Sequence, residues 1–320
     1  MDPPQPSRRA AVLALKLLVL AAVVWGVWRT IQEGWEGLGE QQWSVSWGWL
    51  VASGAIYATG LLPAAWYWRR AMMALGGRPD WTDALPAYFA GHLAKYVPGK
   101  VLVVALRAGM LPRHAVPLRV AMISVFLETF TTMAVGAAWA VALAPLVLEL
   151  SRSELAGALS LVVMIGLPTW PPLARRLVRY AARLRRVDSA GPEQIDTIVE
   201  GIDLRLMFVG WCAGSLLWIL FGLSLGAMIK GVEGAEVSLI GDLPLLVSSI
   251  ALSMVAGFAS FLPGGFGVRD VVLVGLLAPR FGDSTALIVG VGLRLVWIIA
   301  ELVVYAILNV GCKYLARRRA

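Results

Sequence analysis

The sequence predicts an all-α polytopic membrane protein, with about six full crossings and two re-entrant helical hairpins arranged as an inverted repeat. Three observations carry that prediction. The 320 residues are 59% hydrophobic and 15% charged, with a mean hydropathy of +0.75, whereas soluble domains are about 25% charged. Several apolar runs reach the roughly 20 residues needed to cross about 30 Å of hydrocarbon. Two further apolar segments are interrupted by Pro-Gly, at Pro98-Gly99 and Pro263-Gly264, with cations beside each break. The runs are continuous rather than alternating, which excludes the pattern of an outer-membrane barrel.

Taken in order, the predicted crossings are 10–28, 46–68, 119–148, 155–171, 206–229 and 285–310. The first follows Arg8 and Arg9 as a secretory signal would. No small-residue cleavage site precedes the acidic, Trp-rich stretch 33–49, so it is expected to be a retained helix. Lys and Arg at 8, 9, 69, 70, 78, 113, 119, 175, 176, 179, 183, 185, 186, 205, 313, 317, 318 and 319 fall on one side. Arg29, Arg152, Lys230 and Arg280 fall on the other. Cations in short loops mark the cytoplasmic face. The prediction is therefore a cell inner-membrane protein with both termini cytoplasmic. The net charge of +8 is this topology signal and not a nucleic-acid footprint. The Arg-rich loop 173–186 is also placed to meet anionic lipid headgroups, and Trp35, Trp43, Trp47 and Trp49 fall at the outer interface, where indoles prefer to lie.

Residues 83–112 and 243–281 do not fit as simple crossings. The first would leave and re-enter on the cytoplasmic side, the second from outside. Val271–Ala278 is only about 12 Å long as helix, half the core. Two short tilted crossings per segment are the alternative, and cysteine accessibility at Gly99 and Gly265 separates the two. The segments match each other. Ala90-Gly91 leads through Tyr96-Val97-Pro98-Gly99 to Pro112-Arg113, and Ala256-Gly257 leads through Phe261-Leu262-Pro263-Gly264 to Pro279-Arg280. The chain is thus read as one transmembrane domain, 1–320, with halves 1–150 and 151–320 in inverted topology. In transporters that architecture locates the substrate site at the breaks. Helix starts after Gly264-Gly265-Phe266-Gly267 would aim free N–H groups at the cavity, an arrangement suited to anions.

Cys212 and Cys312 form no CxxC pair, and His92 and His114 are too few for a metal site unaided. Gly99-Lys100 lacks the glycine and hydroxyl residue of a nucleotide loop. No cofactor is expected, and no stretch of soluble composition leaves room for a catalytic domain. The intramembrane charges are more informative. Lys16, Lys95, Lys100, Arg107, Arg269 and Arg294 stand against Glu128, Asp270 and Glu301. Each costs roughly 2.5–3.5 kcal/mol at a helix centre unless paired or hydrated. Lys16 is placed to snorkel. The simplest internal pair joins Glu128 with Arg294, both near mid-depth, with Glu301 two turns further along the same face. The remaining cations outnumber the acids, and an anionic substrate would supply the missing charge.

The stretches GHLAKYVPGKVLVVALRAGML and LPGGFGVRDVVLVGLL resemble the transmembrane region of lysylphosphatidylglycerol synthases, which also circulates as a stand-alone flippase-like protein. The resemblance covers about residues 10–312. The family's usual Glu after Gly-Val-Arg is Asp270 here, and the Arg that commonly follows its membrane glutamate, here Glu128, is Thr129. Arg294 looks like the family's arginine in the last crossing. What the resemblance implies is movement of a lipid headgroup between leaflets. With the chain stopping at Ala320, the soluble aminoacyl-transfer domain of the full-length synthases is expected to be absent.

The expected function is therefore translocation of an anionic or zwitterionic, phosphate-bearing lipid, without catalysis. Lys95, Lys100, Arg107, Arg269 and Arg294 would bind phosphate. Tyr96, Pro98, Gly99, Pro263, Gly264, Gly265 and Gly267 would shape the breaks. Asp270 and Glu128 would hold the cations or carry a coupled proton, and Glu301 is a further coupling or structural charge. Three other classes stay open: a secondary transporter of a small water-soluble anion, an intramembrane transferase acting on a polyprenyl phosphate, and a partner subunit without transport activity. The Gly and Ala content of the helices is compatible with a homodimer.

Overall fold

The computed structural model describes residues 44–96, 101–147, 151–184, 192–232, 235–260, 265 and 267–319. The first expected crossing, 10–28, lies outside the described residues, as do Pro98, Gly99, Lys100, Pro263 and Gly264 at the two breaks. Among the described residues every extended element is helical. The only strand-like feature there is an isolated bridge between Val45 and Val232.

In chain order the helices are α1 (Trp47–Ala74), α2 (Trp81–Ala94), α3 (Val101–Met110), α4 (Leu118–Leu143), α5 (Arg152–Gly166), α6 (Pro171–Leu184), α7 (Pro192–Glu200), α8 (Leu204–Lys230), α9 (Leu243–Ala259), α10 (Val268–Phe281) and α11 (Asp283–Arg319). Four stretches are long and apolar enough to cross a membrane: Trp47–Ala74, Leu118–Leu146, Leu204–Lys230 and Asp283–Gly311. They coincide with four of the expected crossings. The protein is a multi-pass helical membrane protein.

The expected crossing at 155–171 takes a different form. α5 ends at Gly166, a 3-10 turn covers Leu167–Thr169, and α6 leaves at a bend of 68°. The cause is written in Pro168, Pro171 and Pro172, since each proline lacks the donor that would continue the helix.

α1 and α8 form the most extensive helix pair. Ser53 and Ser224 join them about two turns in from the Trp47 end of α1 and the Lys230 end of α8, each hydroxyl donating to the other's backbone carbonyl at 2.8 Å. Trp297 of α11 adds its indole N–H to Ser224 Oγ at 3.0 Å. These bonds satisfy polar groups that would otherwise face hydrocarbon. On α4, Ser124 accepts from the Trp68 indole at 3.0 Å, and the Thr132 carbonyl accepts from Trp218 at 2.9 Å. The aromatic cluster of Tyr57, Phe221 and Trp297 fills the space between α1, α8 and α11.

The start of α8 is fixed by Asp203, whose carboxylate accepts from the Leu206 N–H at 2.7 Å. Asp203→Ala is expected to cost about 1 kcal/mol, read as a lower Tm of the purified protein, with Asp203→Ser retaining most of the stability.

α2 with α3, and α9 with α10, are two packed pairs of short helices. At about 15–25 Å each, none of the four reaches the roughly 30 Å of a bilayer core. The Arg78 N–H donates to the Ala115 carbonyl at 2.8 Å, so the chain before α2 meets the chain after α3. This happens beside Gly77, whose N–H bonds Met72 at the Ala74 end of α1. Asp242, before α9, faces Arg280 of α10 at 3.8 Å. That pair lines a cleft of about 630 Å³ with Trp49 and Lys230, at the opposite end of α1.

Candidate functional site

The charged residues inside the bundle gather around α2. Tyr88, His92 and Lys95, spaced by four and three residues, share one face of that helix, and Tyr96 follows one turn after His92. Tyr88 and Lys95 meet partners from other elements. Tyr88 donates to Glu128 of α4 at 3.2 Å, and Arg107 of α3 pairs with the other Glu128 oxygen at 2.7 Å. The Arg107 guanidinium lies 4.2 Å from the Tyr88 ring centre and 5.4 Å from that of Trp68. Lys95 pairs with Glu301 of α11 at 2.5 Å and donates to the Tyr57 hydroxyl at 3.2 Å. Tyr57 itself donates to the same Glu301 oxygen.

The third ion pair joins Arg294 of α11 to Asp270 of α10 at 3.1 Å. Asp270 also accepts from the Gly267 N–H at 3.2 Å, which closes the first turn of α10. The simple pair of Glu128 with Arg294 expected from depth alone does not form. The short helices supply nearer partners: Arg107 sits opposite Glu128, and Asp270 sits opposite Arg294.

Two glycines make these positions accessible. A Cβ on Gly91 would overlap the Arg107 side chain, and a Cβ on Gly257 would meet Arg269 Cβ at 3.1 Å and Gly265 at 3.2 Å. Each arginine therefore lies directly over a glycine of the preceding helix. Gly265 and Gly267 adopt φ of +68° and +77°, a region that side-chain-bearing residues avoid. That conformation turns the chain into α10, as the Gly-rich stretch predicts.

Arg269 differs from the other cations. It is 5% exposed, and its guanidinium lies 4.7 Å from the Trp297 ring centre. Among the described residues no carboxylate forms an ion pair with it, and its Nε has no hydrogen-bond partner. Arg269 and Arg294 both act electrostatically on Lys95, so the tip of the α2 segment and the start of α10 share one field. Four cations, Lys95, Arg107, Arg269 and Arg294, face three carboxylates, Glu128, Asp270 and Glu301. The described cluster thus holds one cation more than it has carboxylates. Among the described residues, no three His, Cys, Asp or Glu side chains gather to hold a metal ion.

The sequence model described as the lysylphosphatidylglycerol synthase TM region matches residues 13–304. The chain belongs to that family. A comparison with curated proteins found no match. In this member of the lysylphosphatidylglycerol synthase transmembrane family, the matched span contains every charge of the cluster. The structure brings together Lys95, Tyr96, Arg107, Glu128, Arg269, Asp270, Arg294 and Glu301. Gly265 and Gly267 lie at the start of α10. Tyr57, Tyr88, His92 and Trp297 also belong to the cluster and were not picked out by sequence. For Tyr88 and His92 a signal existed, because they fall at helical spacing before Lys95. Tyr57 and Trp297 carry no such mark in an aromatic-rich membrane sequence.

Proposed function

We propose that this chain translocates a phosphate-bearing lipid, anionic or zwitterionic, across the inner membrane without acting as an enzyme. The headgroup passes through the polar cluster between α2–α3 and α9–α10, and the acyl chains stay in the bilayer. The observation that carries this reading is Arg269, a buried guanidinium with no carboxylate partner among the described residues. An unneutralised cation inside hydrocarbon is costly, and a phosphate is the ligand whose shape and charge match its donors.

Several features support two re-entrant hairpins in inverted topology. Both short-helix pairs return to the end they came from, at opposite ends of α1. In both, a glycine of the first helix receives an arginine of the second, Gly91 with Arg107 and Gly257 with Arg269. Breaks of that kind meeting at mid-depth are how transporters build substrate sites. Arg175 bonds the Ile202 carbonyl beside the start of α8, which puts it at the same end as Arg78. Lys230 and Arg280 share the other end. This split supports cytoplasmic termini by the positive-inside rule.

A lipid is favoured over a small soluble anion by the surroundings of Asp270. Its side chain keeps 30% exposure, and the next residue, Val271, is 73% exposed. The polar cluster therefore borders apolar outer surface rather than being closed all round. The test is leaflet exchange of fluorescent phosphatidylglycerol in proteoliposomes. Arg269→Ala and Arg294→Ala are each expected to slow exchange roughly tenfold or more, the loss of a charge-assisted hydrogen bond of about 1.5–3 kcal/mol. Wild-type rates in both variants would sink the reading, and phosphate uptake without lipid exchange would mark a small-anion carrier.

A further inference from the structure

Among the described residues His92 forms no hydrogen bond, and the one carboxylate facing it is Glu301, 3.9 Å from its Nδ1. The histidine side chain is 18% exposed, yet both ring nitrogens are buried and have no hydrogen-bond partner. The ring packs against Tyr88, with centres 4.8 Å apart and planes 50° apart. A histidine kept only for packing normally satisfies at least one nitrogen, because an orphaned buried polar atom loses its bonds to water and gains none in return. His92 leaves two.

The charged and titratable groups set against it are Tyr88 and Lys95 of α2, Arg107 of α3 and Glu301 of α11. One step further out, Tyr57 of α1 shares Glu301 and Glu128 of α4 holds Arg107, while Arg269 of α10 and Arg294 of α11 act on Lys95 and Tyr96. Glu301 Oε1 lies 3.9 Å from His92 Nδ1, too far for a hydrogen bond but near enough to become one after a small shift. Glu301 Oε2 is itself buried without a partner. Against this, burial of the ring opposes a positive charge there, and Lys95 and Arg107 add repulsion.

We propose that His92 is a proton-binding site coupled to the phosphate site, so that a phosphodiester at Arg269 and a proton on His92 are taken up together. This rests on the lipid-translocator reading. The balance is one of charge. The empty cluster already carries a surplus cation, and a protonated imidazole would add another. A phosphodiester brings one negative charge, which offsets the surplus and lets the ring accept a proton from water. The imidazolium then has two donors, and the vacant Glu301 Oε2 is a ready acceptor. Coupling of this kind is reciprocal, so the proton strengthens headgroup binding as much as the headgroup strengthens proton binding. The carrier is then a symporter of a proton and an anionic headgroup, and a pH gradient drives transport.

The test uses the purified full chain and glycerophosphoglycerol, a soluble phosphodiester whose own charge does not change near neutral pH. Calorimetry in buffers of different ionisation enthalpy counts the protons bound with it. Wild type is expected to take up about one proton per phosphodiester, with affinity rising about tenfold per pH unit lowered. His92→Gln and His92→Asn are expected to bind with no proton uptake and a flat pH dependence. Binding by wild type without proton uptake overturns the proposal, as does failure to bind at all or unchanged uptake in both variants. Leaflet exchange run in parallel separates the two levels. Exchange that depends on Arg269 while uptake is absent removes only the proton role, whereas absence of exchange removes the translocator reading itself.

Discussion

Glu301→Ala is expected to lower the stability of the purified protein by about 3–5 kcal/mol, the cost of removing one partner from a buried ion pair. The carboxylate is fully buried, and it holds both the Lys95 ammonium and the Tyr57 hydroxyl. Without it, the Lys95 ammonium keeps no carboxylate partner among the described residues and still feels the repulsion of Arg269 and Arg294. The drop is measured as a lower Tm in detergent. A double variant, Glu301→Gln with Lys95→Met, removes both charges and leaves an amide for Tyr57, so most of the stability should return. Leaflet exchange should not return, because the field at the cluster has changed. If the double variant stays as unstable as Glu301→Ala, the pair does not act as a charge pair and the electrostatic account of this site fails.

The second large effect is expected at a residue with no side chain. In Gly91→Ala the new methyl would occupy space now filled by the Arg107 side chain, with Cγ at 2.6 Å and Cδ at 2.9 Å. These atoms are near the rigid end of the arginine, so the whole side chain must move. The guanidinium would leave Glu128, now 2.7 Å away, and leave the Tyr88 face as well. Overpacking of this kind costs about 1–3 kcal/mol, and exchange should fall far more than stability, to near the background of empty vesicles. Gly109→Ala, on α3 with open space around the built Cβ, is the control. It should gain about 0.5–1 kcal/mol from helix propensity and exchange lipid normally. Normal exchange in Gly91→Ala would show that Arg107 need not touch Glu128.

Much of the scaffold was legible in the sequence because the bilayer imposes length and hydropathy one segment at a time. The long helices at 47–74, 118–146, 204–230 and 283–311 follow from their own residues and need no knowledge of neighbours. The bend after Gly166 was legible too, in Pro168, Pro171 and Pro172, but a hydropathy average passes over prolines. Pairing was not legible. Lys95 and Glu301 are 206 residues apart, and which cation meets which acid depends on how helices rotate against each other. Depth along a helix brings Glu128 and Arg294 to the same level, but the azimuth of α3 and α10 decides the partners. His92 was set aside because two histidines make no metal site. That both its nitrogens are buried without a hydrogen bond is visible only once the helices are packed.

The bonds between Ser53 and Ser224 have a mechanical consequence. Both hydroxyls and both carbonyls are committed across one crossing, and Trp297 fastens a third helix to it. Sliding α1 past α8 would strand all of those groups in a solvent that offers no replacement. That trio behaves as a stator. The short helices are held across the cluster by ion pairs, Arg107 with Glu128 and Asp270 with Arg294, and a passing phosphate can substitute for a carboxylate in such a bond. If the chain translocates a phosphate-bearing headgroup as proposed, the parts expected to move are the pieces whose fastenings that headgroup can undo.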